Sequence, residues 1–433
     1  MKKALALLLA ILLLGSLMAC AGTEKTTTAD QPQTTQEPAP SESSDKTEQT
    51  EISFITWRAE DSDVIKSMIA DFEAKNPDIK VNLEVTSTDE TEYYTVLKSR
   101  LISGEGADVM NIHPGAHMKE ILDAGYLLEL DDTGLAETID PGMLDAGMRD
   151  GKLYGLLVTY NSFALYYNKD LFDELGIEPL TGDYESLLNA AQKSREAGYM
   201  PVAAGFGDVW PAEILHEALF TSYGKEDIDI MQKLVTGEAK LTDEPYVSIF
   251  EDFLTMYNDG IFQDNVTGTG YDASISLFAS GKATMLLDGT WSVASVKNMN
   301  ADMNIGFVAI PAIQTETLAV TVPSQLICIN AKIEKQEAAK RFAAYLVSVE
   351  GETTYCNGTL QASTVQGTTL DLPELDEVAA MMAAGTELIC TYKLENSKLE
   401  SVIDDLCGRL MAGGDLMTEL EVTQAEIDTL REQ

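Results

Sequence analysis

Cys20 stands directly after Leu17-Met18-Ala19, and a thiol preceded by small residues can be alkylated with diacylglycerol before the peptide upstream of it is cleaved. The remaining cysteines, Cys328, Cys356, Cys390 and Cys407, all lie in the last quarter of the chain. An even number in an exported protein permits disulfides, but their pairing cannot be read from spacing, and Cys328 in Leu326-Ile327-Cys328-Ile329 suits a buried free thiol equally well. No Cys-x-x-Cys pair occurs and the chain has 3 histidines, so no metal site and no cofactor is expected. Gly-x-Ser-x-Gly, His-Glu-x-x-His and phosphate-loop patterns do not occur either. Among the 71 acidic residues, a pair of carboxyl groups could serve a glycosidase. That chemistry needs two carboxyl groups about 5–5.5 Å or about 6.5–9.5 Å apart, one of them kept protonated. Sequence leaves this alternative open.

Upstream of Cys20, Lys2-Lys3 and an apolar run over 4–14 have the basic-then-hydrophobic order of an export signal, too short for an ordinary membrane span. The expectation is a signal peptide over 1–19 and a lipid-bearing Cys20. The position resembles a bacterial lipoprotein box, and two or more acyl chains would hold a soluble body at the outer face of the cell membrane. A plain secretory signal with an incidental cysteine is the alternative. Residues 20–50 read as a disordered tether, because Thr, Glu, Gln, Pro, Ser and Lys predominate and nothing large and apolar is present after residue 22. With 71 acidic residues against 29 basic, the net charge is −42, a field that repels nucleic acid and anionic lipid and favours a neutral or cationic ligand.

From residue 51 onward the chain exceeds what one core ordinarily accommodates, so two lobes are expected. Glu51-Ile52-Ser53-Phe54-Ile55-Thr56-Trp57 reads as a strand by alternation, and 61–76 as a helix in which Val64, Met68 and Phe72 share a face, ended by Asn76-Pro77. A strand over 79–85, a helix over 92–102 and a short strand over 107–112 complete a mostly parallel α/β unit. Further helices are expected over 184–197, 211–223, 245–259 and 274–280, strands over 156–160, 283–287, 303–310 and 326–329, and mostly helices after Glu337. Tyr166 and Tyr167 alternate along a strand, so one is expected inside and the other toward a cleft.

Several segments then form a set: Asn76-Pro77-Asp78-Ile79-Lys80-Val81, Gly104-Glu105-Gly106-Ala107-Asp108-Val109, Gly151-Lys152-Leu153-Tyr154-Gly155-Leu156, Ala164-Leu165-Tyr166-Tyr167-Asn168-Lys169-Asp170-Leu171-Phe172 and Phe278-Ala279-Ser280-Gly281-Lys282-Ala283-Thr284-Met285, followed by Gly289-Thr290-Trp291. Their order resembles the extracellular solute-binding proteins of carbohydrate ABC transporters, the group that includes maltose-binding protein. The resemblance implies an α/β, two-lobed periplasmic-binding-protein-like fold with discontinuous lobes and three hinge crossings, near 158–162, near 309–311 and between 347 and 362. It implies a first lobe of 51–160 plus about 310–350 and a second of about 161–309 plus 351–433. It further implies a monomer that captures a carbohydrate between the lobes and hands it to membrane permease subunits. A surface lipoprotein that binds a peptide or cationic solute is the remaining alternative.

A pyranose offers apolar C–H faces and an equatorial fringe of hydroxyls, so it calls for flat aromatic surfaces and for polar groups in the ring plane. The chain has 3 tryptophans. Trp57 ends the first strand, where ligands collect beyond a parallel sheet's carboxyl edge, Trp210 opens a helix, and Trp291 resembles the family's stacking tryptophan. Each has a structural alternative in a core or in lobe packing. By the same resemblance Asp108 meets sugar hydroxyls or instead fixes its own loop, and His113 rims the cleft or serves structure. Glu60 and Asp89 are neighbours of the first and second strands, with solvated turns as their alternative. Asn161 and Gln325 would reach ligand from the hinge side.

Overall fold

The computed structural model describes residues 49–86, 90–208, 210–227, 229–370, 373–383, 386–388 and 397–431. The expectations for Cys20, the tether, Asp89 and Cys390 therefore fall outside the described residues. Among those described, no helix is long and apolar enough to cross a membrane.

The first lobe is built on a five-stranded sheet in the order Ile79–Val85, Thr50–Thr56, Val109–Ile112, Leu326–Ile329, Leu156–Leu157. The first three strands are parallel and the last two pairings antiparallel. Alternation along Thr50–Thr56 sends Ile52 and Phe54 to one face and Ile55 to the other, and each face has its own buried cluster. The helix Ser62–Lys75 covers the first face with Ile65, Met68, Ile69 and Phe72, spaced so that they fall on one side. It stops at Asn76, whose Nδ2 donates to the Phe72 carbonyl at 2.9 Å just before Pro77 removes the next donor.

Asp108 is corrected here. It precedes Val109–Ile112 at the edge of the sheet opposite to Trp57, and its Oδ2 accepts from the Ser53 amide at 2.7 Å and the Ser53 hydroxyl at 2.9 Å, while Ser53 Oγ accepts the Asp108 amide at 3.0 Å. The carboxylate clamps two strands and does not reach a cleft at their other end. Asp108→Ala is expected to cost about 2 kcal/mol of stability in urea unfolding, because a charge-assisted acceptor is lost from a half-buried pair of donors.

The second lobe has a four-stranded sheet in the order Ile305–Val308, Phe163–Asn168, Ala283–Gly289, Met200–Ala203. Every residue of Phe163–Asn168 is buried, so neither tyrosine faces a cleft: Tyr166 packs edge-on to Phe307 and Tyr167 goes to the opposite face against Phe172.

Joining the lobes is a third sheet, Ala362–Ser363, Thr159–Asn161, Ala319–Pro323, Thr386–Leu388. The first crossing lies inside the expected 158–162. The second is carried by Ala319–Pro323, about ten residues beyond the expected place, because Ile310 and Ala312 remain in the core of the second lobe. The helix Val349–Thr359 stays with the first lobe through Tyr355 and Cys356, so the third crossing follows it. Cys328, Cys356 and Cys407 are buried free thiols.

Candidate functional site

Where Thr50–Thr56 ends, the chain turns through Trp57-Arg58-Ala59-Glu60-Asp61. Trp57 is 9 % exposed and packs edge-on to Tyr93 at 5.2 Å and against the His113 ring at 4.1 Å, the core alternative of its two readings. His113 is half-buried at the exit of Val109–Ile112, and its amide donates to Tyr94 Oη at 2.7 Å. Arg58 is 5 % exposed. Its Nε donates to Asp61 Oδ2 at 2.7 Å and its Nη1 meets Glu60 at 3.1 Å. Asp61 Oδ2 also accepts from Tyr355 Oη at 2.5 Å, Tyr355 Oη accepts from Gln325 Nε2 at 2.6 Å, and Gln325 Oε1 accepts from Asn111, which also donates to Thr56 Oγ1 at 2.9 Å. Gln325 is thus a buried link in a network that braces this rim, with both ends of its amide engaged.

Asn161 is bonded on both sides in the same way. Its Nδ2 donates to Gln361 Oε1 at 3.0 Å and its Oδ1 accepts from Thr290 Oγ1 at 3.2 Å, which ties the hinge strand to the loop before Trp291. Both amides hold the crossing region together through these bonds.

On the second lobe the structure gathers three half-buried aromatics. Trp210 caps the helix Pro211–Tyr223, Tyr271 opens the helix Tyr271–Ala279, and Trp291 lies in the turn Thr290–Ser292 that follows Ala283–Gly289. The rings of Trp210 and Tyr271 are 4.6 Å apart, and Trp291 Nε1 donates to Tyr271 Oη at 2.7 Å. Phe163 supports Trp291 edge-on at 5.8 Å. Gly289 is required beneath it, since a Cβ there would come within 2.1 Å of the indole ring. Asp208 Oδ2 accepts the Tyr271 amide at 2.7 Å, fixing the start of that helix.

Glu60 faces this group from the first lobe. Burial raises its carboxyl above the ordinary range, Arg58 opposes the rise, and Asp61 and then Asp272 of the second lobe add to it. Burial also raises the Tyr271 hydroxyl, with Asp288 the next cause and Glu60 a further one. Tyr271, Arg58, Asp208 and Asp288 escaped the sequence reading. Arg58 had a signal, a lone cation between a strand end and two acids, whereas Tyr271 has none beyond its place after Gly270. Among the described residues, no group of three or more His, Cys, Asp and Glu side chains is arranged to hold a metal ion.

Residues 58–353 match the family described as bacterial extracellular solute-binding protein. The chain is 26 % identical over 320 residues to the multiple sugar-binding protein of Streptococcus mutans, covering 72 % of this chain and 74 % of that one. It is 25 % identical over 326 residues to the galactooligosaccharide-binding protein of Bacillus subtilis, covering 72 % and 73 %. Among solved structures, a chitin oligosaccharide binding protein superposes with a TM-score of 0.80 at 20 % identity, covering 89 % of this chain and all of that one. A solute-binding protein in complex with raffinose superposes with 0.76 at 22 % identity, covering 88 % and 100 %. These similarities match the two-lobed α/β architecture described above, and the chain belongs to the bacterial extracellular solute-binding proteins.

Proposed function

We propose that this protein is the substrate-capturing receptor of an ABC importer for a sugar or oligosaccharide, which it binds between its lobes and delivers to the membrane permease. The half-buried trio Trp210, Tyr271 and Trp291 carries the reading, because flat faces held together at one rim suit the C–H faces of pyranose rings. The sugar-binding relatives support the same ligand class. Glu60 supplies hydroxyl acceptors from the facing lobe. A ligand that touches both rims favours the closed arrangement, since only that arrangement makes both sets of contacts. The permease then reads the relative placement of the lobes. Cys20 is the lipid attachment point in this reading, residues 20–50 the tether, and the receptor works as a monomer at the outer face of the membrane.

The hydrolase alternative asks for a free carboxyl pair. Asp208 holds a backbone amide and Asp288 is 0 % exposed, so neither offers a free carboxyl to pair with Glu60, which lies against Arg58. The receptor reading needs no chemistry from them. Trp291→Ala is expected to weaken binding of any sugar the protein takes up by about 2 kcal/mol, roughly thirtyfold in Kd, as for other central aromatic anchors. Calorimetric titration of parent and variant measures this, and equal affinities would remove the trio from the site.

A further inference from the structure

Asp288 is the next-to-last residue of the buried strand Ala283–Gly289 beneath the aromatic trio, and no step of the capture mechanism uses it. Its Oδ1 accepts from the Gly289 amide at 2.7 Å and from Tyr271 Oη at 3.2 Å, and its Oδ2 has no hydrogen-bond partner although the residue is 0 % exposed. Tyr271 Oη lies 2.6 Å from Ser292 Oγ and accepts from Trp291 Nε1, so one phenol oxygen joins Asp288, Ser292 and Trp291.

We propose that Asp288 is a positioning residue for the ligand platform: through Tyr271 it sets the hydrogen-bond sense that fixes Trp291 and, by ring contact, Trp210. The proposal rests on the reading of the trio as that platform. A phenol has one hydrogen to give and two lone pairs to fill. An ionised Asp288 can only accept, so it takes the Tyr271 hydrogen. Trp291 then donates to the phenol oxygen, and Ser292, with one hydrogen to give, is left to donate to the phenol or to the Asp288 carboxylate. When Asp288 is protonated its claim on that hydrogen weakens, Tyr271 can turn it to the nearer Ser292, and the oxygen that holds the Trp291 N–H loses its charged partner. Burial brings this change into the neutral range, pushing the carboxyl up to about 7 against the opposing bonds from Ser292, Gly289 and Tyr271. The other titratable groups around the cluster are the buried Tyr166, whose hydroxyl donates to the Gly289 carbonyl at 2.5 Å, Asp272 at the head of the Tyr271 helix, and Glu60 across the cleft.

The test needs no sugar, which keeps its failure distinct from failure of the receptor reading. Tryptophan fluorescence of the protein is recorded from pH 5 to 9 in a Trp57→Phe background, which removes the indole packed against His113 and leaves Trp210 and Trp291 as the reporters. The expected result is a single step with a midpoint within about one unit of pH 7, kept in Glu60→Gln and absent from Asp288→Asn. Tyr271→Phe, which cuts the link while leaving the carboxyl in place, also loses the step and serves if Asp288→Asn does not fold. No step in the parent, a step that persists in either of the last two variants, or a step that vanishes with Glu60→Gln overturns the proposal.

Discussion

Replacing Arg58 with methionine is expected to cost roughly 3–5 kcal/mol of folding stability, the range for breaking a buried ion pair by removing one partner. Asp61 is 4 % exposed and would keep only the Tyr355 hydroxyl in place of a guanidinium. The loss should spread along Tyr355, Gln325 and Asn111, because each passes its hydrogen bond to the next. Methionine preserves most of the buried stem, so the effect reports the charge and its bonds rather than a cavity. Urea unfolding measures the cost. The double variant Arg58→Met, Asp61→Asn should recover a large part of it, since the stranded charge is gone. A double variant as unstable as the sum of the two singles would show that the pair is not coupled.

Stability should fall as pH rises from about 4 to about 8, and Glu352→Gln should remove about half of that fall, Asp288 carrying a comparable share. Glu352 is 0 % exposed on Val349–Thr359; its Oε2 accepts from Ser363 Oγ at 2.9 Å and from the Cys356 thiol at 3.3 Å, while Oε1 has no hydrogen-bond partner. Burial pushes its carboxyl up to about 8, with the Ser363 and Cys356 bonds opposing. An unfolded glutamate ionises near pH 4.3, so through this window the native state holds a proton that the unfolded chain has released. More bound protons in the native state means stability drops with rising pH, on the order of 3–5 kcal/mol for this one group at full ionisation. Asp288 adds in the same direction below about pH 7. Melting temperatures at pH 5 and pH 8.5 test it: the parent loses stability at the higher pH, and the glutamine variant loses about half as much. Parallel curves for the two proteins would place Glu352 outside the linkage.

The scaffold was readable because its signals are local. Alternation in Ile52-Ser53-Phe54-Ile55, the stop at Asn76-Pro77 and the apolar spacing over 184–197 and 211–223 each depend on near neighbours, and the corresponding elements are present. The second crossing was misplaced because Pro311 looks like a boundary, whereas whether Ile310 and Ala312 enter a core is decided by distant partners. The site was less readable for the same reason. Trp57 and Trp291 both follow strands, yet Tyr93 and His113 enclose one, and Gly289 and Tyr271 hold the other half open. Asp108 and Asp208 are equally acidic loop residues in sequence. Only the pairing of strands shows that one clamps Ser53 at the far edge and the other steadies Tyr271.

Capture of a sugar between the lobes is tested most directly by calorimetric titration of the purified protein with raffinose, stachyose, maltodextrins, galactooligosaccharides and chitin and xylan oligosaccharides, with the sugar recovered afterwards. Saturable binding of one class at a stoichiometry near one, abolished or strongly weakened by Trp291→Ala, and with the sugar returned intact, is the expected result. No heat with any of these sugars would contradict the carbohydrate assignment, and a cleaved sugar would contradict a receptor that only binds and releases.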